Sequence, residues 1–341
     1  MSEAMTVNVA IAGATGAVGE ALLEILEQRE FPVGELHLLA SQRSAGRRIQ
    51  FRGKSIMVQD IADFDFANVQ IGLFSAGSSV SQVYAPIAAE AGCVVVDNTS
   101  FFRYDDDVPL IVPEVNPHRL ADYRQRNIIA NPNCSTIQML VALKPIYDAV
   151  GITRINVATY QAVSGAGAGG IKELAGQTAN LLNAKPIEAD VMPVQIAFNA
   201  IPQIDSFQDN GYTREEMKMV WETRKIFEDD SIQVNPTCVR IPVFFGHSEA
   251  VHLETAQPIG AGEVAELLRL APGVEVFTDD TYPTPVEHAA GTDPVFVGRI
   301  RDDISHNQGV NLWVVSDNVR KGAALNSVQI AELLVKHWVE H

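Results

Sequence analysis

Cys134 stands in the segment Asn131-Pro132-Asn133-Cys134-Ser135-Thr136, where an apolar strand-like run, 127–130, gives way to a helix-like run from Ser135 to Val150. A thiol at a helix start faces unsatisfied backbone N–H groups and the positive end of the dipole. Both favour thiolate over thiol, so such a cysteine is a candidate nucleophile. The alternative is a small buried apolar residue, the ordinary state of a lone cysteine. Other polar clusters could serve that nucleophile. The stretch from Tyr160 to Gly170 ends a strand in a small-residue loop, which permits close approach to a ligand. Arg240 lies among β-branched residues in 237–243, where a guanidinium needs a carboxylate ligand or a structural ion pair. His247 follows that strand, as a catalytic group or as a loop cap. Glu215 and Lys218 share one helical face at i, i+3, as site residues or as a surface pair.

A second chemical signal lies at the N-terminal side. Val7 to Ala12 is a β-branched apolar run, followed by Gly13, Gly16 and Gly19 and then by a helical pattern from Glu20 to Arg29. Strand, glycine turn and helix form the phosphate-binding unit of a dinucleotide fold, in which the backbone approaches the pyrophosphate and the helix start donates N–H groups. The spacing is GxxGxxG, so position after a strand carries more weight than the pattern itself. The second strand, Glu35 to Ala40, ends in Ser41-Gln42-Arg43-Ser44-Ala45-Gly46-Arg47-Arg48 rather than in an acid. Hydroxyls and guanidinium groups suit a 2′-phosphate, which favours NADP over NAD. An exposed basic loop is the other reading.

The elements that must position these groups fall into two sets. Up to about residue 135, short apolar strands alternate with helices, as in a mostly parallel doubly wound sheet; examples are Val69 to Phe74, helical Ser79 to Ala91, and Cys93 to Val96. From about 150 to 317 the strand candidates lengthen: Thr153 to Val163, Thr237 to Val243, Ala250 to Gln257, Val295 to Ile300 and Val310 to Ser316. They predict an α+β domain with a mixed or antiparallel sheet and helices such as Ile171 to Leu182 on its face. The amphipathic run from Gly322 to His341 is expected to return to the first domain.

Composition sets outer bounds. The chain has 341 residues, 47% of them hydrophobic, which is enough for two cores. A net charge of −17 argues against nucleic acid or an anionic membrane as the main partner. No apolar run reaches transmembrane length, and Met1-Ser2-Glu3-Ala4-Met5 lacks the character of a secretion signal, so a cytoplasmic protein is expected. Cys93, Cys134 and Cys238 are too scattered for a disulfide framework or a metal site, and no metal is expected. Cys93 and Cys238 lie in or beside β-branched runs and read as core residues.

Taken together, these segments resemble aspartate-β-semialdehyde dehydrogenases along nearly the whole chain. The resemblance rests on GATGAVG at 13–19, LLASQRSAG at 38–46, SAGSS at 75–79, DNTSFFR at 97–103, VPEVN at 112–116, NPNCSTIQM at 131–139 and TYQAVSGAG at 159–167. It continues through EEMKM at 215–219, CVRIPV at 238–243, GHSE at 246–249 and WVVSDNVRKGAALNSVQIAE at 313–332. It implies a glyceraldehyde-3-phosphate dehydrogenase-like α/β architecture. An NADP-binding Rossmann-like domain would span 1–134, completed by a C-terminal helix at 318–341, and a catalytic and dimerisation domain would span 135–317. A homodimer or tetramer is implied, working in the biosynthesis of lysine, threonine, methionine and diaminopimelate.

The resemblance also implies roles. Cys134 would attack the acyl phosphate of aspartyl phosphate and form a thioester that NADPH reduces to the semialdehyde. His247 would serve as general acid and base with a pKa near working pH, and Gln161 would orient the reacting group. Arg240 would grip the substrate α-carboxylate, Glu215 would face its ammonium, and Arg103, Lys218 and Asn133 would hold phosphate. Gly13, Thr15, Gly16, Ala17, Val18, Ser41, Arg43, Ser44, Ser75, Ala76, Gly77, Ser164, Gly165 and Asn318 fall in the cofactor-binding segments. Two alternatives remain: a reductase of N-acetyl-γ-glutamyl phosphate, and a non-catalytic NADP-binding paralogue. The intact cysteine and histidine speak against the second.

Overall fold

The computed structural model describes residues 6–340. The signal-sequence reading of Met1 to Met5 and the last residue of the expected helical run, His341, lie outside them. The chain divides into two compact units, 1–132 with 323–341, and 133–322. The second unit thus begins at Asn133, just before Cys134, and the chain returns to the first unit at Ala323.

The first unit is a seven-stranded sheet in the order β3-β4-β2-β1-β5-β6-β7, parallel except for β3. Its strands are β1 (Val7–Ala12), β2 (Val33–Ala40), β3 (Arg48–Phe51), β4 (Lys54–Asp60), β5 (Ile71–Phe74), β6 (Val94–Asp97) and β7 (Ile128–Ala130). Strands β5, β6 and β7 are buried at every position, so their apolar runs are continuous rather than alternating. Helix α1 (Ala17–Gln28) begins three residues before the expected Glu20 and buries Leu22, Ile25 and Leu26. Helix α2 (Ser78–Glu90) links β5 to β6. Strand order reverses at β1, with β2 on one side and β5 on the other. The loops after β1 and β5 thus meet where ligands bind in open α/β sheets.

In the second unit α3 (Cys134–Val150) leads into a six-stranded mixed sheet of order β11-β12-β13-β10-β8-β9. Its strands are β8 (Ile152–Gln161), β9 (Gln233–Arg240), β10 (His247–Thr255), β11 (Val274–Val276), β12 (Val295–Asp302) and β13 (Gly309–Ser316). Helices α4 (Gly167–Leu182), α5 (Arg214–Phe227) and α6 (Ala261–Arg269) complete the unit. α3 packs on β10, β13 and β12, and α5 packs on β9. Back in the first unit, α7 (Leu325–Glu340) lies against α1 and β6. Arg29 holds Glu332 through two 2.7 Å contacts, and Asn326 donates to Asn131 at 2.7 Å.

Among the described residues no helix is long and apolar enough to cross a membrane, and no group of His, Cys, Asp and Glu could hold a metal ion.

Candidate active site

Cys134 is the first residue of α3, and Asn133 is its N-cap. The Asn133 Oδ1 accepts from the N–H groups of Ser135 at 3.0 Å and Thr136 at 3.3 Å, so the helix start is closed by a side chain. Its Nδ2 donates to Glu215 Oε1 at 2.8 Å, and its main-chain N–H donates to the buried Glu222 at 2.6 Å. Asn133, expected to hold phosphate, already helps to fix the cysteine's turn through these contacts. Gly322 lies against Cys134 so closely that a Cβ there would sit 2.7 Å from the cysteine Cβ.

The other candidates form a row across the sheet. Arg240 ends β9 as the register partner of Gln161, the last residue of β8, and His247 begins β10 on the next strand. Residues directly opposite in neighbouring strands share a face, so the three side chains are neighbours. The Gln161 Nε2 lies 3.5 Å from His247 Nε2, and a Cβ on Gly165 would meet the Arg240 guanidinium at 2.9 Å and the His247 ring at 3.6 Å. Only a glycine leaves that space open.

Glu215 is the hub of the cluster. It is buried, and it receives Asn133, Gln161 Nε2 at 3.1 Å and Lys218 Nζ at 2.9 Å. Burial alone would raise its pKa. The Lys218 charge and these hydrogen bonds overcome that and hold it at about 2. Lys218 also meets Asp205 at 3.0 Å, and although burial opposes its charge, the two carboxylates raise its pKa. The expected phosphate lysine is thus already paired, and Glu215 is already surrounded by donors.

His247 is fully buried, and its Nδ1 accepts the Ala162 N–H at 3.0 Å. A neutral ring in that setting carries its proton on Nε2. Burial, followed by the nearby Arg240 charge, holds its pKa down to about 3, which corrects the expectation of a pKa near working pH. Arg240 is buried, donates to the Ala162 carbonyl at 2.7 Å and makes no ion pair among the described residues. Burial lowers its pKa, while Glu215 and Cys134 act in the opposite direction through their charges. Of the two sequence readings of Arg240, the structural ion pair is therefore absent.

The nucleotide-side candidates of the first unit gather at the ends of β1, β2 and β5. Gly13 has φ +89°, and a Cβ there would lie 2.9 Å from the Ser75 backbone, so the 13–16 turn presses on the Ser75-Ala76 segment. Gly16 caps α1 and Gly77 caps α2, neither with a side-chain acceptor, leaving the N–H groups of both helix starts for another acceptor. Thr15 lies within the turn, and Ala17 and Val18 begin α1. These features fit a pyrophosphate. Ser41, Arg43 and Ser44 form the turn after β2, with Ser41 and Arg43 exposed and Ser44 buried. Arg103 also belongs to the first unit, where it donates to the Asn98 carbonyl at 2.9 Å.

Ser164 and Asn318 lie in the second unit, where Asn318 Nδ2 donates to Ser164 Oγ at 2.9 Å and Asn318 Oδ1 accepts from Gly246 N–H at 2.9 Å. Cys93 and Cys238 are buried thiols. Burial pushes Cys93 up to about 12 and Cys238 well above the usual thiol range, as core cysteines require. Sequence reasoning gave no role to Glu222 or Gly322. Neither carries a local signal, since a buried glutamate and a glycine at a close approach are outcomes of tertiary packing.

A doubly wound nucleotide-type unit joined to a mixed-sheet unit that carries a half-buried cysteine at a helix start and a buried Gln–His–Arg row defines a two-domain dehydrogenase class. The pattern described as semialdehyde dehydrogenase, NAD binding domain, matches residues 8–123, and that described as semialdehyde dehydrogenase, dimerisation domain, matches 143–321. Aspartate-semialdehyde dehydrogenase of Shewanella violacea is 66% identical over 332 residues, covering 97% of this chain and 98% of the relative. The crystal structure of aspartate semialdehyde dehydrogenase II complexed with ASA from Vibrio cholerae superposes with a TM-score of 0.97 at 66% identity, covering 97% and 99% of the two chains. The enzyme from Candida albicans solved with NADP gives a TM-score of 0.76 at 26% identity, covering 97% and 98%. The chain belongs to the aspartate-semialdehyde dehydrogenase family.

Proposed function

We propose that this chain interconverts L-aspartate 4-semialdehyde and L-4-aspartyl phosphate, using NADP and phosphate, through a thioester on Cys134. The observation that carries the reading is the buried Arg240, which has no carboxylate of its own and stands beside Gln161, His247 and Gly165. A desolvated guanidinium without an anion is costly, and a substrate α-carboxylate would complete it.

In the oxidative direction the Cys134 thiolate adds to the aldehyde carbon, and the carbonyl oxygen becomes an oxyanion. His247, carrying its proton on Nε2, donates a hydrogen bond to that oxygen, and Gln161 fixes the geometry. The C–H hydride leaves as the oxyanion re-forms C=O, giving the Cys134 thioester; a bound nicotinamide would supply the hydride acceptor. Phosphate then attacks the thioester carbon, the C–S bond breaks, and the thiolate leaves to be used again. The turn of Ser41, Arg43 and Ser44 would meet a 2′-phosphate, and the NADP found with the Candida albicans relative agrees with that choice. The match to a dimerisation domain supports a homodimer. An enzyme with these substrates would work in the cytoplasm, in amino-acid biosynthesis.

The test is NADP reduction by aspartate semialdehyde with and without phosphate. Turnover that requires phosphate is expected. Turnover with N-acetyl-glutamate semialdehyde in preference would overturn the substrate.

A further inference from the structure

Beneath the row formed by Arg240, Gln161 and His247 runs a second row on the same face of the sheet, two residues along each strand: Cys238 on β9, Thr159 on β8, Glu249 on β10 and Val314 on β13. Glu249 is fully buried, and among the described residues neither of its carboxyl oxygens meets a donor in hydrogen-bond geometry, although the Gln138 side chain lies against it. Gln138 stands one turn beyond Cys134 on α3, the helix that covers β10, and it too is fully buried. Its Nε2 donates to the His247 carbonyl at 3.4 Å, while its Oε1 has no donor.

Three buried acceptor oxygens are short of a donor. An ionised carboxylate there would cost far more than a buried core tolerates, and among the described residues no cation acts on it. The groups around Glu249 are the Gln138 amide from α3, the Thr159 hydroxyl from β8, the Cys238 thiol from β9 and Val314 from β13, with Glu215 and Glu216 of α5 beyond the thiol. A single proton on Glu249 removes the charge and supplies the missing donor.

We propose that Glu249 is held as a neutral carboxylic acid whose O–H donates to Gln138 Oε1, and that this bond, with the bond from Gln138 to the His247 carbonyl, clamps the cysteine helix to the histidine strand. Burial pushes the Glu249 carboxyl well above the usual range, and the Gln138 side chain, the group that interacts with it, only partly offsets this. Glu249 is then a positioning residue: it touches no reactant, and it acts by fixing where Cys134 and His247 stand relative to each other. The assignment rests on the proposed role of Cys134 and His247, but the protonation itself does not.

The test compares Glu249→Gln with Glu249→Leu in the full-length protein. Infrared spectra at neutral pH should show a protonated carboxyl C=O stretch in the wild type that is missing from Glu249→Gln. The glutamine amide can donate to Gln138 as the acid does, so kcat should stay within about twofold. Leucine fills the space but leaves Gln138 Oε1 an orphan, and should lower kcat about tenfold or more with little change in KM. It should also change the rate at which iodoacetamide alkylates Cys134, the other two cysteines being buried. If the leucine variant does not fold, Gln138→Met removes the same bond from the helix side and should lower kcat while shifting the carboxyl band. The proposal is overturned by a wild type without the band, by a glutamine variant as impaired as leucine, or by a leucine variant that only melts earlier. Should the wild type fail to use aspartate semialdehyde at all, the proposed function falls, and the infrared and alkylation results still decide the state of Glu249.

Discussion

The main-chain N–H of Ala162 donates to Nδ1 of His247 across 3.0 Å, so the nitrogen that would have to gain a proton in an imidazolium already accepts one from the backbone. Protonating it would set two N–H groups against each other beside the Arg240 guanidinium. The ring is thereby kept as a neutral donor at Nε2, a state suited to an oxyanion.

The first prediction follows from that state. In the unfolded chain His247 takes up a proton as pH falls through about 6.5, whereas in the folded chain burial and Arg240 hold it to about 3. Between those values the unfolded state binds more protons, so unfolding free energy rises with pH there, and the stability from the neutral ring is lost as pH falls. His247→Gln should remove up to about 1.4 kcal/mol per pH unit of that slope in urea melts between pH 6.5 and 5. An unchanged slope, or a ring nitrogen NMR titration near 6.5, would show a ring open to protons.

The second concerns Arg240. If its fork holds the substrate carboxylate, Arg240→Lys keeps the charge but loses the paired geometry, and kcat/KM should fall about 10²-fold, roughly 3 kcal/mol. No ion pair is broken by the change, so the melting temperature should move little. Unaltered kinetics in a less stable variant would make the arginine structural.

Much of this scaffold is legible in the residues. The β-branched run before Gly13 and the break before Cys134 name the strand and the helix that hold them, and the structure puts β1 and α3 there. The β3–β4 hairpin is not legible, because its two-residue turn is Arg52-Gly53 with both φ positive, and arginine is an unusual first residue for such a turn. Pro236 lies inside β9, where proline normally argues against a strand. It is tolerated because β9 is an edge strand. The partners that Asn133 and Lys218 already engage are hidden for another reason: a residue type at a motif position does not reveal which neighbours its polar atoms satisfy. Their engagement with Glu215, Glu222 and Asp205 is set by α5, a distant part of the chain.

The third prediction is cofactor choice. With exposed Ser41 and Arg43 at the end of β2 and no acid in their place, NADP should be preferred over NAD by about tenfold or more in kcat/KM, the effect of one charge-assisted contact near 1.4 kcal/mol. Arg43→Ala should erase most of that ratio while leaving the NAD rate alone. Equal use of both cofactors by the wild type would mean that the turn is merely solvated.

The last separates the halves of the reaction. In the proposed route, acylation of Cys134 and hydride transfer need no phosphate, whereas release of the acyl group does. Enzyme mixed with semialdehyde and NADP alone should therefore give a burst near one NADPH per active site and then stall, and added phosphate should restart it. Cys134→Ala should abolish the burst while NADP still binds, and Cys93→Ala or Cys238→Ala should cost only packing, since both thiols are buried and held protonated. Lys218→Ala distinguishes the two fates of that side chain. If Lys218 only supports Glu215, its loss lets the Glu215 pKa rise and weakens burst and turnover together. If it also receives phosphate, the phosphate requirement should climb much more than the burst shrinks. Free turnover without phosphate would rule out the phosphorylating reaction, whatever the fate of the lysine.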